Sequence, residues 1–393
     1  ARAPADAIMA PMPTITLPGP DGRLAPFATS PPAALPERAP GPFDRVAIAA
    51  AHVVADPMAD ADPRADRAID WDATIALRVR LWDLGLGVAE AMDTAQRGDG
   101  LDWPASLELI RRTLDAARGR PGARVHCGCG TDDLVPTGRI TVADVIAAYE
   151  RQAEAIEALG GRLVVMASRA LADCARSPDQ YGLVYDRLLA QVREPVIVHW
   201  LGDAFDPALA GYWGSDDLDL AADILVDVVN RNAAKVDGIK LSLLDADREV
   251  AIRRRLAPGV RMYTGDDLHF AALIAGDAHG HSDALLGILD AIAPVASAAL
   301  AALARGDRAR YDALLGPTLP LSRHVFGAPT PHYKTGLVFL AWLNGLQSHF
   351  TMIGGRQSAR GVLHLAELFR PADAAGAPRA PPAPPPGRPR PLV

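Results

Sequence analysis

Eight short β-like runs, most of them followed by a longer amphipathic stretch, restrict the fold of this chain more than any other feature. The runs are 45–54 (RVAIAAAHVV), 84–92 (LGLGVAEAM), 123–130 (ARVHCGCG), 162–168 (RLVVMAS), 195–201 (PVIVHWL), 236–244 (VDGIKLSLL), 260–265 (VRMYTG) and 280–287 (GHSDALLG). Between them, stretches such as PASLELIRRTLDAAR, TVADVIAAYERQAEAIEALG and LDLAADILVDVVNRNAAK repeat apolar residues at helical spacing, the period of a helix with one buried face. Strands alternating with helices build parallel sheets, and eight such units close a barrel. No G-x-G-x-x-G turn enters a helix, which weighs against an open doubly wound sheet. The expected fold is therefore α/β, a TIM (β/α)8 barrel over 43–293.

The flanks read differently. Residues 294–372 are wholly helical in pattern (VASAALAALARG, RARYDALLG, KTGLVFLAWLNGLQ) and form a C-terminal helical cap. Residues 1–42 are rich in proline and alanine, with a hairpin expected in ITLPGPDGRLAPFA; 373–393 is a proline-rich, extended and disordered tail. A net charge of −7 over 393 residues offers no basic face for phosphates, so no nucleic-acid partner is expected. No apolar run approaches the ~20 residues of a membrane span. Three cysteines, Cys127, Cys129 and Cys174, make no disulfide framework, and the start carries no signal-peptide pattern, so a cytoplasmic location is expected. Cys127 and Cys129 read as small packing residues.

In such barrels chemistry gathers at the C-terminal ends of the strands. Those ends supply His52, Glu90, Asp93, His126, Ser168, Arg169, His199, Lys240, Ser242, Asp266, Asp267, His279 and His281. Lys240 stands out, because only three of the 40 basic residues are lysines and this one interrupts the apolar run GIKLSLL. Alternation puts Gly238, Lys240 and Ser242 on one face and Ile239, Leu241 and Leu243 on the other. The apolar face suits packing beneath helices, so the lysine is expected inside the barrel, with Gly238 below it leaving room for a substrate. Desolvation there lowers an amine's pKa, and a neutral amine attacks ketones to form a Schiff base. The competing structural reading is a buried ion pair with Asp266 or Glu90.

At this point the sequence resembles a known family. VDGIKLSLLD looks like the sixth-strand motif of the dihydrodipicolinate synthase / N-acetylneuraminate lyase superfamily, class I aldolase-type barrels whose lysine forms the Schiff base. GLGVAEAMDT sits where that family has its Gly-Thr-Thr-Gly-Glu strand, RVHCGCGTDD resembles its third strand, and VRMYTGDD its seventh-strand turn. The similarity runs from about residue 44 to 370, and the whole chain resembles an uncharacterised bacterial branch of unknown function. It departs from the family at Val88-Ala89, where the double threonine is missing and Thr94 is the nearest hydroxyl. His199 replaces the fifth-strand tyrosine relay, and WLGDAFDP lacks the arginine that follows it in synthases. Dihydrodipicolinate synthase activity itself is therefore not expected. The resemblance also implies a homodimer or homotetramer and no organic cofactor.

The function expected is a Schiff-base lyase, an aldolase or dehydratase, acting on a 2-keto acid of the 2-keto-3-deoxy sugar type. Lys240 is the nucleophile and His199 the general acid/base. Arg169 would clamp the carboxylate, with Ser168, Glu90, Thr94, His126, Ser242, Asp266 and His281 around the substrate. One of Asp266 and Asp267 is expected instead to cap the helix LHFAALIAG. The rival is a divalent-metal isomerase or hydrolase whose ligands come from the strand-end histidines and carboxylates. No H-x-x-x-H or H-E-x-x-H pair supports it, and HGH at 279–281 is the nearest approach. The third reading is a non-catalytic binding protein.

Overall fold

A computed structural model describes residues 14–31, 34–62, 66–134 and 139–376. It begins with an antiparallel hairpin, β1 (Thr14–Pro18) and β2 (Leu24–Ala28). Eight parallel strands then close a barrel: β3 (Ala47–Ala50), β4 (Gly87–Glu90), β5 (Val125–Cys129), β6 (Arg162–Val165), β7 (Val196–Leu201), β8 (Val236–Ser242), β9 (Arg261–Thr264) and β10 (Asp283–Leu286). Their order around the barrel is that of the chain, with β10 returning to pair β3. Each of the eight expected runs contains one strand.

Alternation divides the side chains as the sequence requires. Ile48, Ala50, Ala89, Val164, Ile197, Tyr263 and Leu285 fill the interior. Ile239 and Leu241 point the other way, into the apolar layer between strands and helices.

The surrounding helices are α1 (Trp71–Asp83), α2 (Trp103–Ala117), α3 (Val142–Ala158), the short α4 (Arg169–Cys174), α5 (Pro178–Leu189), α6 (Leu218–Arg231), α7 (Ala246–Arg253), α8 (Phe270–Ala275) and α9 (Ile288–Ala304). Asp70, Asp102, Asp217 and Asp245 each cap a helix by accepting backbone N–H bonds of its first turn, a device worth roughly 1 kcal/mol apiece. Thr141 and Asp144 form a reciprocal capping box on α3.

Helix α9 spans the boundary expected at 293/294 as two helical pieces joined across a kink. Ile292 leaves the helical region there (φ −108°, ψ 18°), and Pro294, two residues on, removes one N–H from the ladder. The remaining helices are α10 (Arg308–Leu315), α11 (Thr318–Val325), α12 (Tyr333–Leu343) and α13 (Val362–Ala374). The hairpin is fastened to α13: Phe27 meets Phe369 edge-on at 6.0 Å, and the Ser30 N–H donates to Asp373 at 2.9 Å. The expected tail lies outside the described residues from 377 onward. No described helix is long and apolar enough to cross a membrane.

Candidate active site

The interior face of β8 carries Gly238, Lys240 and Ser242 toward the C-terminal mouth of the barrel. In register, Lys240 stands between His199 of β7 and Tyr263 of β9. Gly238 does leave room below the lysine, but the ring of Tyr263 takes it: a Cβ on Gly238 would lie 2.8 Å from that ring. The expectation that this glycine makes space for substrate is thus corrected; it makes space for core.

The lysine is 8% exposed. It opens on a cavity of about 20 Å³ bounded by Asp93, Thr94, Ser242, Asp267, Phe205 and Tyr333. Burial pulls its amine below the ordinary lysine range, while Asp93 and Asp267 oppose that shift. Among the described residues no hydrogen bond or close ion pair ties the side chain down, so the expected competitor, a locked ion pair with Asp266 or Glu90, does not form.

The turn after β9 sorts the two neighbouring aspartates. Gly265 passes so close to β8 that a Cβ would lie 2.7 Å from the Leu241 carbonyl oxygen. Asp266 then turns away from the mouth, accepting from the N–H groups of Leu268 (2.8 Å) and His269 (3.0 Å) and pairing with the His269 ring at 2.8 Å. Its expected contact with substrate is corrected to a turn contact, and the expected cap is corrected too: α8 begins after His269 and has no side chain bonded to its first-turn N–H groups. Asp267 is the one that faces Lys240. Its Oδ1 accepts from the Ile288 N–H at 2.9 Å. Burial raises its pKa, against the opposing pull of that N–H and of Lys240.

The segment after β4 supplies the opposite wall. Glu90 points outward, since Gly87 and Ala89 occupy the interior face. Arg78 of α1 grips it with two 2.9 Å bonds, Thr113 donates at 2.6 Å and the Ala91 N–H at 2.9 Å. Every acceptor direction is used, so Glu90 is a structural anchor and not a substrate ligand. Ala91 is held in the left-handed region (φ 53°), a conformation costing about 1–2 kcal/mol. That reversal lifts Asp93 and Thr94 over the lysine hollow. Arg97 fixes the segment by bonding Asp132, Gln152 and the Gly128 carbonyl. Thr94 in turn lies 2.8 Å from the phenol of Tyr333, the first residue of α12. Burial, followed by Asp93, pushes that phenol well above its usual pKa.

His199 is 1% exposed; its Nε2 lies 3.1 Å from Ser242 Oγ, and its Nδ1 has no partner among the described residues. Burial, then Lys240, depresses its pKa well below the ordinary histidine value, so the ring is neutral at neutral pH. It lines a second, larger pocket of about 530 Å³, together with Asp93, Thr131, Ser168, Arg169 and Asp206. Arg169 pairs with Asp206 at 2.5 Å and keeps a side chain 64% exposed. Ser168 shares a 2.6 Å bond with Thr131 and caps α4.

Two expected residues lie elsewhere. His126 is near the start of β5, in register with the first residue of β6, with Asp237, Arg162, Arg124 and Arg261 as its charged surroundings. It faces the N-terminal end of the interior, and burial drives its pKa down to about 4. His281 precedes β10 beside a turn bridging Asp277 and Gly280, so it belongs to the same far end. Both are corrected: they precede the strand interiors that carry groups to the mouth. His52 is buried and held by Asp290 (2.5 Å) and Gln347 (2.9 Å). Among the described residues no three histidine, cysteine or carboxylate groups converge as metal ligands.

Residues 15–383 match the family model described as Protein of unknown function (DUF993). The chain belongs to that family. No curated protein matches its sequence. The fold of this DUF993 chain is that of the dihydrodipicolinate synthases. It is similar to the prophage protein of the dihydrodipicolinic acid synthase family from E. coli K12, solved in complex with pyruvate (TM-score 0.65, 15% identity, covering 85% of this chain and 99% of that one). It is also similar to dihydrodipicolinate synthase from Aquifex aeolicus (TM-score 0.63, 15% identity, 85% and 99%). A third similar structure is the synthase from Acinetobacter baumannii complexed with pyruvate (TM-score 0.61, 16% identity, 85% and 99%).

Proposed function

We propose that the chain is a class I aldolase-type lyase that forms a Schiff base between Lys240 and a 2-keto acid. The observation that carries this reading is the position of Lys240: an unanchored, desolvated lysine at the mouth of a closed barrel, beside a space lined by hydroxyls and carboxylates. A buried lysine kept only for packing has no such surroundings. Two barrels of similar fold were solved with pyruvate, which fits a keto acid as substrate.

The groups divide the work between two places. In the hollow, the Lys240 nitrogen bonds to the ketone carbon while the Tyr333 phenol gives its proton to the ketone oxygen. That oxygen leaves as water, carrying the surplus proton of the nitrogen, and an iminium faces the phenolate. On the large-pocket side, neutral His199 takes the proton of the C4 hydroxyl as the C3–C4 electrons enter the iminium, releasing an aldehyde. The imidazolium returns that proton to C3 of the enamine. Water then reverses the first step and restores both phenol and amine.

The large pocket favours a long, hydroxylated substrate. Its volume of about 530 Å³ exceeds what a keto-acid head needs, and Thr131, Asp173, Arg169 and Asp206 line it with hydrogen-bonding groups. A 2-keto-3-deoxy sugar acid has that form, with Arg169 placed to meet a charged or hydroxylated end. The test is pyruvate release from a panel of such acids, with Lys240→Ala as the control. Release by the wild-type chain alone supports the reading, and equal release by the variant overturns it.

A further inference from the structure

We propose that Phe205 sets how large a keto acid reaches Lys240; the inference rests on the Schiff-base reading of that lysine. The hollow at Lys240 measures about 20 Å³, room for one water-sized body. Even the smallest 2-keto acid is several times larger, so its carbonyl carbon bonds Nζ only after one wall withdraws. Ample space lies next door. The pocket of about 530 Å³ and a side pocket of about 210 Å³ both share Asp93 and Leu201 with the hollow, and the side pocket shares Phe205 and Tyr333 as well.

The walls differ in how firmly they are held. Leu201 is the last residue of β7, in register with Ser242 and 9% exposed. Tyr333 is stacked on Phe326 at 4.6 Å and pinned by Thr94 at 2.8 Å. Phe205 has neither constraint. It meets Phe326 and Tyr333 edge-on, each at 6.3 Å, weaker holds than a stacked ring with a hydrogen bond. It rides on a turn after β7 in which its own N–H and that of Asp206 both reach the Gly202 carbonyl (3.1 and 3.3 Å). Turning this one ring outward joins the hollow to the side pocket, which shares Arg97, Arg169 and Asp206 with the large pocket that receives the sugar tail, and the aromatic trio closes again behind the bound acid.

The experiment compares the second-order rate of borohydride-trapped adduct on Lys240 for pyruvate and for a six-carbon 2-keto-3-deoxy acid. It uses wild-type chain, Phe205→Ala and Phe205→Trp, with thermal melts to confirm folding. The alanine variant is expected to react faster with both acids and to raise the six-carbon/pyruvate ratio by roughly tenfold or more; the tryptophan variant lowers that ratio. Unchanged rates and ratio in both folded variants overturn the proposal. Slower reaction of the folded alanine variant with both acids overturns it too, by making Phe205 a packing residue. An absence of adduct in all three proteins overturns instead the Schiff-base reading beneath it.

Discussion

The Tyr333 phenol and the Thr94 hydroxyl lie 2.8 Å apart although 239 residues separate them in sequence. Through this bond the C-terminal helix α12 completes the wall of the Lys240 hollow. The cap region is therefore part of the site and not an appendage to the barrel.

Tyr333→Phe removes the hydroxyl proposed as proton donor and keeps the ring stack on Phe326. Imine formation with pyruvate is expected to slow by roughly a hundredfold, within the range for general acid catalysis, with little change in melting temperature. Stopped-flow rates of iminium formation check this, and an unchanged rate removes Tyr333 from the chemistry.

Asp267→Asn tests the electrostatics of the lysine. The Asp267 carboxylate favours the charged ammonium, against burial, which favours the free amine. Removing the negative charge leaves burial less opposed, so the amine pKa falls further and more free amine exists at a given pH. The acid limb of the trapping profile should therefore move to lower pH, with the rate on that limb rising about tenfold per unit moved. A limb that moves to higher pH contradicts this assignment.

Much of this was legible in the sequence because period-two alternation is local. All eight strands and the inward direction of Lys240 follow from it. The same rule, applied to Gly87 and Ala89, turns Glu90 outward toward Arg78, so its place outside the substrate space is also written in the local pattern. The choice between Asp266 and Asp267 was not legible: the close pass of Gly265 against β8 decides it. His281 was misplaced by a few residues of strand boundary, which exchange one end of the barrel for the other. Tyr333 gave no local sign, since its role depends on how α12 docks.

Arg78→Met should destabilise the fold by about 3–5 kcal/mol, because it strands the fully buried Glu90 charge. Denaturant unfolding measures the loss. Trapping per folded molecule should stay unchanged, which separates the anchoring role of Glu90 from substrate binding.

Glu249 provides a stability test away from the site. Burial pushes its carboxyl up to about 7, against hydrogen bonds from Ser282 and Thr264. The folded pKa is raised, so this group's stabilising contribution is full below the unfolded value near 4.5 and is lost as pH rises through about 7. Glu249→Gln should therefore abolish a wild-type loss of up to about 3 kcal/mol between about pH 5 and pH 8. Chemical denaturation of both proteins at the two pH values checks the sign.

The most direct measurement is peptide mapping after incubation with pyruvate and borohydride. A reduced pyruvyl adduct is expected on the peptide that holds Lys240, absent from Lys240→Ala and absent from Lys235 and Lys334. An unmodified Lys240 under conditions in which the chain turns over a keto acid, or an adduct that persists in Lys240→Ala, contradicts this expectation.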